Sequence, residues 1–319
     1  MGALIVRSPG LHSTIQALPR SGVAWLGVAP GGAADPLSWM LGNRLVGGAA
    51  GAAVEMTLVG GVFEFESHAT IAITGGATMP ILTAPGGSAG PITTNAPVRV
   101  RAGERLTIGP IASGARAYLC VEGGVDVPEV LGSRSTHIAA GFGGLGGRAL
   151  RTGDRLAFQT RRSGASVAEN VTAVVEDVRR AVFRRELRAL PGPHADRFSA
   201  AAMELFWSSE FCVSNRSDRV GLRLDGPRIE SPAGGRMVSE GVTWGAVQIP
   251  EDGRPIILGC DHPTTGGYPV IACVASVDLP ALGQLRPGDT LGLLPETRSN
   301  ALRALRQQRA RLGVLFDHE

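Results

Sequence analysis

The chain predicts a mainly β fold, and three observations carry that expectation. Glycine is 45 of 319 residues, about twice the ordinary usage of roughly 7%. The glycines stand between short apolar runs, as tight turns between short strands do. Apolar and polar residues alternate with period two in several of those runs. A short turn signature also recurs three times, as Arg101-Ala-Gly-Glu-Arg-Leu106, Arg151-Thr-Gly-Asp-Arg-Leu156 and Arg286-Pro-Gly-Asp-Thr-Leu291. In each copy glycine supplies the permissive backbone, and the acid hydrogen-bonds locally as a strand begins. The copies are too short and too unevenly spaced for a solenoid, and they mark similar barrel or sandwich corners in more than one module.

The strands follow in order. Val54, Met56 and Leu58 alternate with Glu55 and Thr57; Phe63 and Phe65 with Glu64 and Glu66; Val98 and Val100 with Arg99 and Arg101. Each run predicts antiparallel sheet with one face buried and one wet. Helices are few. Asp35 is a good N-cap for Pro36 to Val46, where Leu37, Met40, Leu41 and Leu45 share a face and Gly47 and Gly48 end it. A second helix is expected over Ser199 to Phe206, and a third over the arginine-rich stretch Arg298 to Leu312 as a solvated surface helix. Length suggests about two domains at roughly 150 residues each. The polar segment Gln159 to Asn170, with the charged Glu176 to Arg188 behind it, is the expected connection. That places an N-terminal β-barrel module with one helix near 36–46 at 1–165, and a C-terminal barrel module with a terminal helix at 166–319.

Composition excludes several chemistries. All 31 basic residues are Arg and none is Lys, so there is no Schiff-base lysine, no P-loop lysine and no attachment point for biotin. The net charge of +3 is mild and no dense basic run adjoins aromatics, which argues against nucleic acid. Cys120, Cys212, Cys260 and Cys273 show no C-x-x-C spacing, and Cys120 and Cys273 sit among apolar residues as small buried hydrophobes; a reducing, cytoplasmic setting is expected. No stretch approaches the roughly 18 apolar residues of a membrane span. The six histidines show no metal-ligand spacing, so no metal site is readable.

Two motifs mislead. Gly141-Phe-Gly143-Gly-Leu-Gly146 matches a dinucleotide fingerprint, but the turn at Arg151–Asp154 follows where a helix is needed; a flexible glycine loop, able at most to cradle an anion through its amides, is the better reading. Gly86-Gly-Ser88-Ala-Gly90 matches a nucleophile elbow, but Pro91 follows at once and blocks the required helix.

The most informative segment is the connection between the apolar runs Pro255–Cys260 and Val270–Val277. It holds Asp261, His262, Pro263, Thr264, Thr265, Gly266, Gly267, Tyr268 and Pro269. One carboxylate, two hydroxyls and two bare glycines suit a small polar or anionic group, and loops carry function more often than the elements they join. Asp261 has two readings. It caps the turn by accepting from the amides of Thr264 or Thr265, or it orients a substrate or takes a proton while nearby amides steady a developing oxyanion. Asp35 likewise divides between helix cap and ligand contact.

Four blocks of the chain, in order, resemble the allophanate hydrolase subunit 2 family, also called the biotin-dependent carboxyltransferase-like family. That family includes the C-type subunit of bacterial 5-oxoprolinase and KipA-like proteins. The blocks are "GVAPGGAADPLSWMLGN" from Gly27, "LGSRSTHIAAGFGGLGGRALRTGD" from Leu131, "LPGPHADRF" with "SDRVGLRLDGP" within 190–227, and the stretch 241–289 with Thr264-Thr-Gly-Gly-Tyr-Pro269. The resemblance implies cyclophilin-like β-barrel modules in tandem, and a subunit 1 partner in a hetero-oligomer. It also implies ATP-dependent work on a small amide or lactam, with a LamB/YcsF-type third subunit in the 5-oxoprolinase case.

By position, the resemblance implies Asp261, Thr264 and Thr265 as catalytic residues. It implies Gly266, Gly267, Tyr268, Arg134, Arg216, Arg219 and Asp35 as substrate-binding residues. Where the family commonly has Arg-Gln, this chain has His262-Pro263, and where it has Ser-Arg-Ser-Gly, this chain has Ala29-Pro30-Gly31-Gly32; two guanidiniums are missing. The expected function is a subunit of an ATP-dependent 5-oxoprolinase-type amidohydrolase. Two alternatives are the carboxyltransferase part of a urea carboxylase system, with biotin on another protein, and a non-enzymatic regulator of KipA type.

Overall fold

The computed structural model describes residues 1–48, 50–159, 171–232 and 236–316. The chain forms two compact units. One is built from Met1–Arg20, Gly31–Arg179 and Val314–Glu319, the other from Ser21–Pro30 and Arg180–Gly313. The expected boundary near residue 165 lies outside the described residues.

In the first unit the strands are β1 (Gly2–Ser8), β2 (His12–Gln16), β3 (Ala53–Thr57), β4 (Val62–Phe65), β5 (Ala69–Ala77), β6 (Ile81–Thr83), β7 (Ala89–Pro91), β8 (Val98–Val100), β9 (Arg105–Thr107), β10 (Ser113–Val121) and β11 (Arg155–Phe158). They form two antiparallel sheets, of order β11-β1-β4-β9-β6-β7 and β2-β3-β10-β5-β8. Helix α1 (Pro36–Leu45) lies against β5 and β10, and Asp35 caps it by accepting from the Ser38 amide at 3.0 Å. Gly42 permits the close approach, because a Cβ there would stand 2.5 Å from the Cys120 Sγ. Cys120 is fully buried and its thiol is pushed well up by desolvation.

Period-two alternation holds for β4, where Phe63 and Phe65 are buried, and for β8, where Arg99 is exposed between Val98 and Val100. It misreads β3. Glu55 is 1% exposed, not on a wet face, because its carboxylate accepts from the Ala34 amide at 2.9 Å and the Tyr118 hydroxyl at 2.8 Å. Glu64, in contrast, faces out between Arg7 and Arg105, whose hydrogen bonds hold its pKa down to about 2.

Helix α2 (Val171–Val182) occupies part of the stretch expected as a charged connection. The second unit continues with β12 (Glu186–Pro191), α3 (Ala200–Ser208), β13 (Glu210–Val213), β14 (Gly221–Asp225), β15 (Glu240–Gly241), β16 (Ala246–Gln248), β17 (Ile256–Leu258), β18 (Thr265–Gly266), β19 (Val270–Val274), α4 (Leu279–Leu282), β20 (Thr290–Pro295) and α5 (Arg298–Arg311). A short α6 (Gly313–Phe316) ends the described chain. Seven of these strands close a barrel, β12-β19-β16-β17-β14-β13-β20, and β20 returns to β12 in parallel. Leu187, Phe206, Phe211, Leu224, Val247, Ile257, Ile271 and Leu293 fill it. On the opposite face of β16 and its neighbours, Ala246, Leu258 and Val270 form a second apolar patch under Val242. The apolar runs 255–260 and 270–277 are therefore not partners in a hairpin: β16 lies between them. Helices α3 and α5 start at Ser199 and Thr297, whose hydroxyls accept from Ala202 and Asn300.

The recurring turns share one geometry. The Glu104, Asp154 and Asp289 carboxylates accept from the Arg101, Arg151 and Arg286 amides at 2.8, 2.7 and 2.9 Å. Gly103, Gly153 and Gly288 sit at φ +81°, +92° and +89°. Gly153 and Gly288 have open space where a Cβ would go, so only the backbone demands glycine. Gly153→Ala and Gly288→Ala are each expected to cost about 1–2 kcal/mol, as a side chain in left-handed backbone does. Gly86→Ala, equally open and without positive φ, should cost almost nothing. Urea denaturation of the three variants checks this.

Candidate functional site

After β17 the chain runs back along residues 219–220. The Gly259 amide donates to the Val220 carbonyl at 2.8 Å and the Asp261 amide to the Arg219 carbonyl at 3.0 Å. This pairing sets the two side chains face to face. Arg219 grips Asp261 with Nε on Oδ2 at 2.7 Å and Nη2 on Oδ1 at 2.9 Å, and both side chains are about nine-tenths buried. The carboxylate thus partners a guanidinium fork and not the loop amides. Such a bidentate pair fixes a carboxylate in direction as well as charge.

His262 follows, buried, with Nδ1 donating to the Pro263 carbonyl at 2.7 Å. Burial pulls its pKa below the ordinary 6.5, against the opposing pull of that carbonyl and of Asp261. Thr264 to Gly267 do not form a free loop. The Thr264 carbonyl accepts from Val242, Thr265 and Gly266 pair with Gly241 and Glu240, and the Gly267 carbonyl accepts from Met237 at 3.0 Å. Gly266 lies against the Gln248 amide, where a Cβ would overlap it. Gln248 is 5% exposed and its Nε2 has no hydrogen-bond partner among the described residues. The Thr265 side chain is exposed, Thr264 half-buried, and Tyr268 is 36% exposed.

Tyr268 forms part of the wall of a concavity of about 280 Å³, together with Arg216, Arg223, Arg236, Arg254, Glu251 and Asp252. Of the residues expected from sequence, the barrel unit thus brings Arg219 onto Asp261 and Arg216 into a cavity with Tyr268. Asp35 and Arg134 belong to the other unit. Asp35 is fully buried as the α1 cap, accepts from the Ser38 hydroxyl at 2.5 Å, and its amide donates to the Tyr118 hydroxyl at 2.8 Å. Arg134 is exposed, and its carbonyl accepts from Gly144 in the glycine-rich block. That block is tightly packed: a Cβ on Gly143 or Gly144 would overlap Ser135 or Thr136.

Sequence reading passed over Arg223, Arg236, Arg254 and Gln248. For Arg223 a signal existed, since it stands between Leu222 and Leu224, both buried, and so must face out of the barrel. The Tyr118 phenol, its pKa driven well up by burial beside Glu55 and Asp35, was also passed over.

The fold and the chain's motifs define a class. Residues 26–294 match the family model described as carboxyltransferase domain, subdomain A and B, and the chain belongs to this family. It is 36% identical over 305 residues to the 5-oxoprolinase C-subunit of Escherichia coli (strain K12), spanning 95% of this chain and 94% of that one. It is also 35% identical to urea amidolyase of Saccharomyces cerevisiae over 92% of this chain, but spans only 16% of that protein. Among solved structures, Kluyveromyces lactis urea carboxylase matches with a TM-score of 0.88 and 31% identity, over 98% of this chain and 29% of the other. No helix among the described residues is long and apolar enough to cross a membrane.

Two outcomes follow from this geometry. Arg219→Leu should destabilise the barrel unit by about 3–5 kcal/mol by leaving a buried carboxylate unpaired. Adding Asp261→Asn should return part of that loss, and a double-mutant cycle by urea denaturation reads the coupling. The second concerns pH. Because folding lowers the His262 pKa, its contribution to stability is complete above pH 6.5 and is lost as pH falls below 6.5 toward the folded value. His262→Asn should flatten that part of the stability curve, as urea midpoints at about pH 7.5 and 5.5 would show against wild type.

Proposed function

We propose that the chain is the C-type subunit of an ATP-dependent 5-oxoprolinase-type amidohydrolase, opening 5-oxoproline to glutamate in the cytoplasm. It acts with a subunit 1 partner and a LamB/YcsF-type third subunit. The observation that carries this reading is the likeness to the 5-oxoprolinase C-subunit, 36% identical over 305 residues in Escherichia coli and 35% identical over 281 residues in Haemophilus influenzae.

Ring opening breaks one C–N bond and consumes one water; ATP hydrolysis, coupled to it, consumes another. The substrate offers a carboxylate and a polarised lactam carbonyl. In this reading Arg216 and Tyr268 hold the carboxylate, while Thr264 and Thr265 supply hydroxyl donors beside Gly266 and Gly267. Both oxygens of Asp261 are engaged by Arg219, which favours a role in orientation over proton abstraction. Arg134 and Asp35, in the other unit, have no step assigned to them.

The second reading, carboxyl transfer to urea or a related amide, is supported by the family model and by the likeness to urea carboxylase. Because this chain has no lysine, biotin would arrive on another protein.

One experiment separates the two. The chain is combined with its partner subunits and assayed for ATP-dependent glutamate release from 5-oxoproline, and in parallel for avidin-sensitive carboxylation of urea. Glutamate release is the expected result. Asp261→Asn should lower kcat at least about tenfold, equivalent to ~1.4 kcal/mol in the barrier. Full turnover in that variant would remove Asp261 from the reaction, and avidin-sensitive urea carboxylation without glutamate would replace the first reading by the second.

A further inference from the structure

The cavity beside Tyr268 has a charge pattern that the Asp261 loop does not explain. Arg216, Arg223, Arg236 and Arg254 line one space of about 280 Å³, room for about nine waters at ~30 Å³ each. Of these, Arg254 is matched, its Nη1 on the Asp225 carboxylate at 2.7 Å. Arg216, Arg223 and Arg236 have no acid within ion-pair distance among the described residues. Where arginines converge in the other unit they share an acid, as Arg7 and Arg105 share Glu64. The two acids in the cavity wall sit on the 250–255 turn, where Asp252 accepts from the Arg254 amide at 3.1 Å.

The backbone beneath the arginines is fixed. The Ser217 hydroxyl takes the Arg223 amide at 3.0 Å and donates to the Arg223 carbonyl, and the Ser214 amide donates to that same carbonyl at 2.8 Å. Asp218 accepts from the amides of Val220 and Gly221. Arg223 itself points outward from β14 between two core leucines. Four guanidinium groups outnumber the two acids of the wall, Glu251 and Asp252, and a bound oxyanion relieves the repulsion among them through forked hydrogen bonds.

We propose that this cavity binds a small multivalent oxyanion, either an oligophosphate such as the tail of a nucleotide or a dicarboxylate. Arg216, Arg223 and Arg236 share its charge, and Arg254, anchored on Asp225, forms a fixed wall. The inference extends the role given above to Arg216 and Tyr268 and rests on that reading for their part in the reaction; binding by the chain alone tests the cavity separately from turnover.

Isothermal titration of the full chain at low ionic strength, without partner subunits, tests it with pyrophosphate, glutamate and acetate as probes. Pyrophosphate or glutamate should bind with submillimolar Kd, and whichever binds tighter identifies the source of the anion. Arg216→Gln combined with Arg223→Gln should weaken that binding at least tenfold, while Arg99→Gln, an exposed arginine of the other unit, leaves it unchanged. Both arginines of the double variant are exposed, and an unaltered thermal midpoint without ligand confirms that it folds. Screening at higher salt should weaken binding further. Absence of binding by both multivalent probes overturns the proposal, as does a double variant that binds as wild type or an acetate affinity equal to theirs.

Discussion

The parallel pairing of β12 with β20 is the constraint on which the barrel unit depends. Glu186 to Ala189 align with Gly292 to Pro295, and this one ladder turns an open sheet into a closed one with no free edge. The junction is clamped electrostatically. Asp278, fully buried, accepts from the Arg188 amide and its guanidinium, with Nη2 on Oδ1 at 2.6 Å, and Arg184 stands 3.8 Å away. Closure also dictates the site. Because β16 sits between β17 and β19, residues 259–269 must cross a whole strand, about 10 Å at ~4.8 Å per spacing. A two-residue turn cannot do that. The long connection, and with it Asp261 and Tyr268, is a consequence of strand order.

Arginine without lysine shapes the electrostatics in two opposite ways. Where a guanidinium fork meets a buried acid, as Arg219 meets Asp261 and Arg188 meets Asp278, the pair acts as a rigid strut whose geometry a lysine point charge could not reproduce. Around the 280 Å³ cavity, in contrast, Arg216, Arg223 and Arg236 have no ion-pair partner among the described residues, although Glu251 and Asp252 stand in the same wall. The two kinds of arginine lie close along the chain: on the connection between β13 and β14, Arg216 stands in the cavity wall while Arg219 is locked onto Asp261.

Much of the local structure was legible because local chemistry decides it. The cap at Asp35, the start of α3 at Ser199 and the three glycine-acid turns all rest on hydrogen bonds spanning three residues. What was illegible depends on partners far away in sequence. Glu55 looked wet because its neighbours alternate, yet it is buried against Ala34 and Tyr118. That the apolar runs around 258 and 270 are not neighbours could not be read either, because nothing local announces that β16 lies between them. Helix α2 was hidden because its charged face reads as a linker. The arginine cavity was only half legible: Arg216 and Tyr268 stood out within motifs, while Arg236 and Arg254 lie outside strands and helices in stretches with no pattern of their own.

Shared fold does not by itself choose between opening a lactam and transferring a carboxyl group, since function resides in the site and not in the barrel. The two reactions nevertheless ask different things of this loop. Carboxyl transfer needs a carrier to enter from another protein, whereas hydrolysis needs donors around a carbonyl. At the position of greatest departure, His262-Pro263, a guanidinium expected from the resemblance is replaced by a buried imidazole whose proton is bound to the next carbonyl. The positive charge lost there is not restored by the neighbouring Arg219, which is committed to Asp261. It is available a short way along the barrel surface, from Arg216 and Arg223 beside Tyr268. On the proposal made above, anion recognition therefore falls to the strand and turn beside the loop and not to the loop's own side chains.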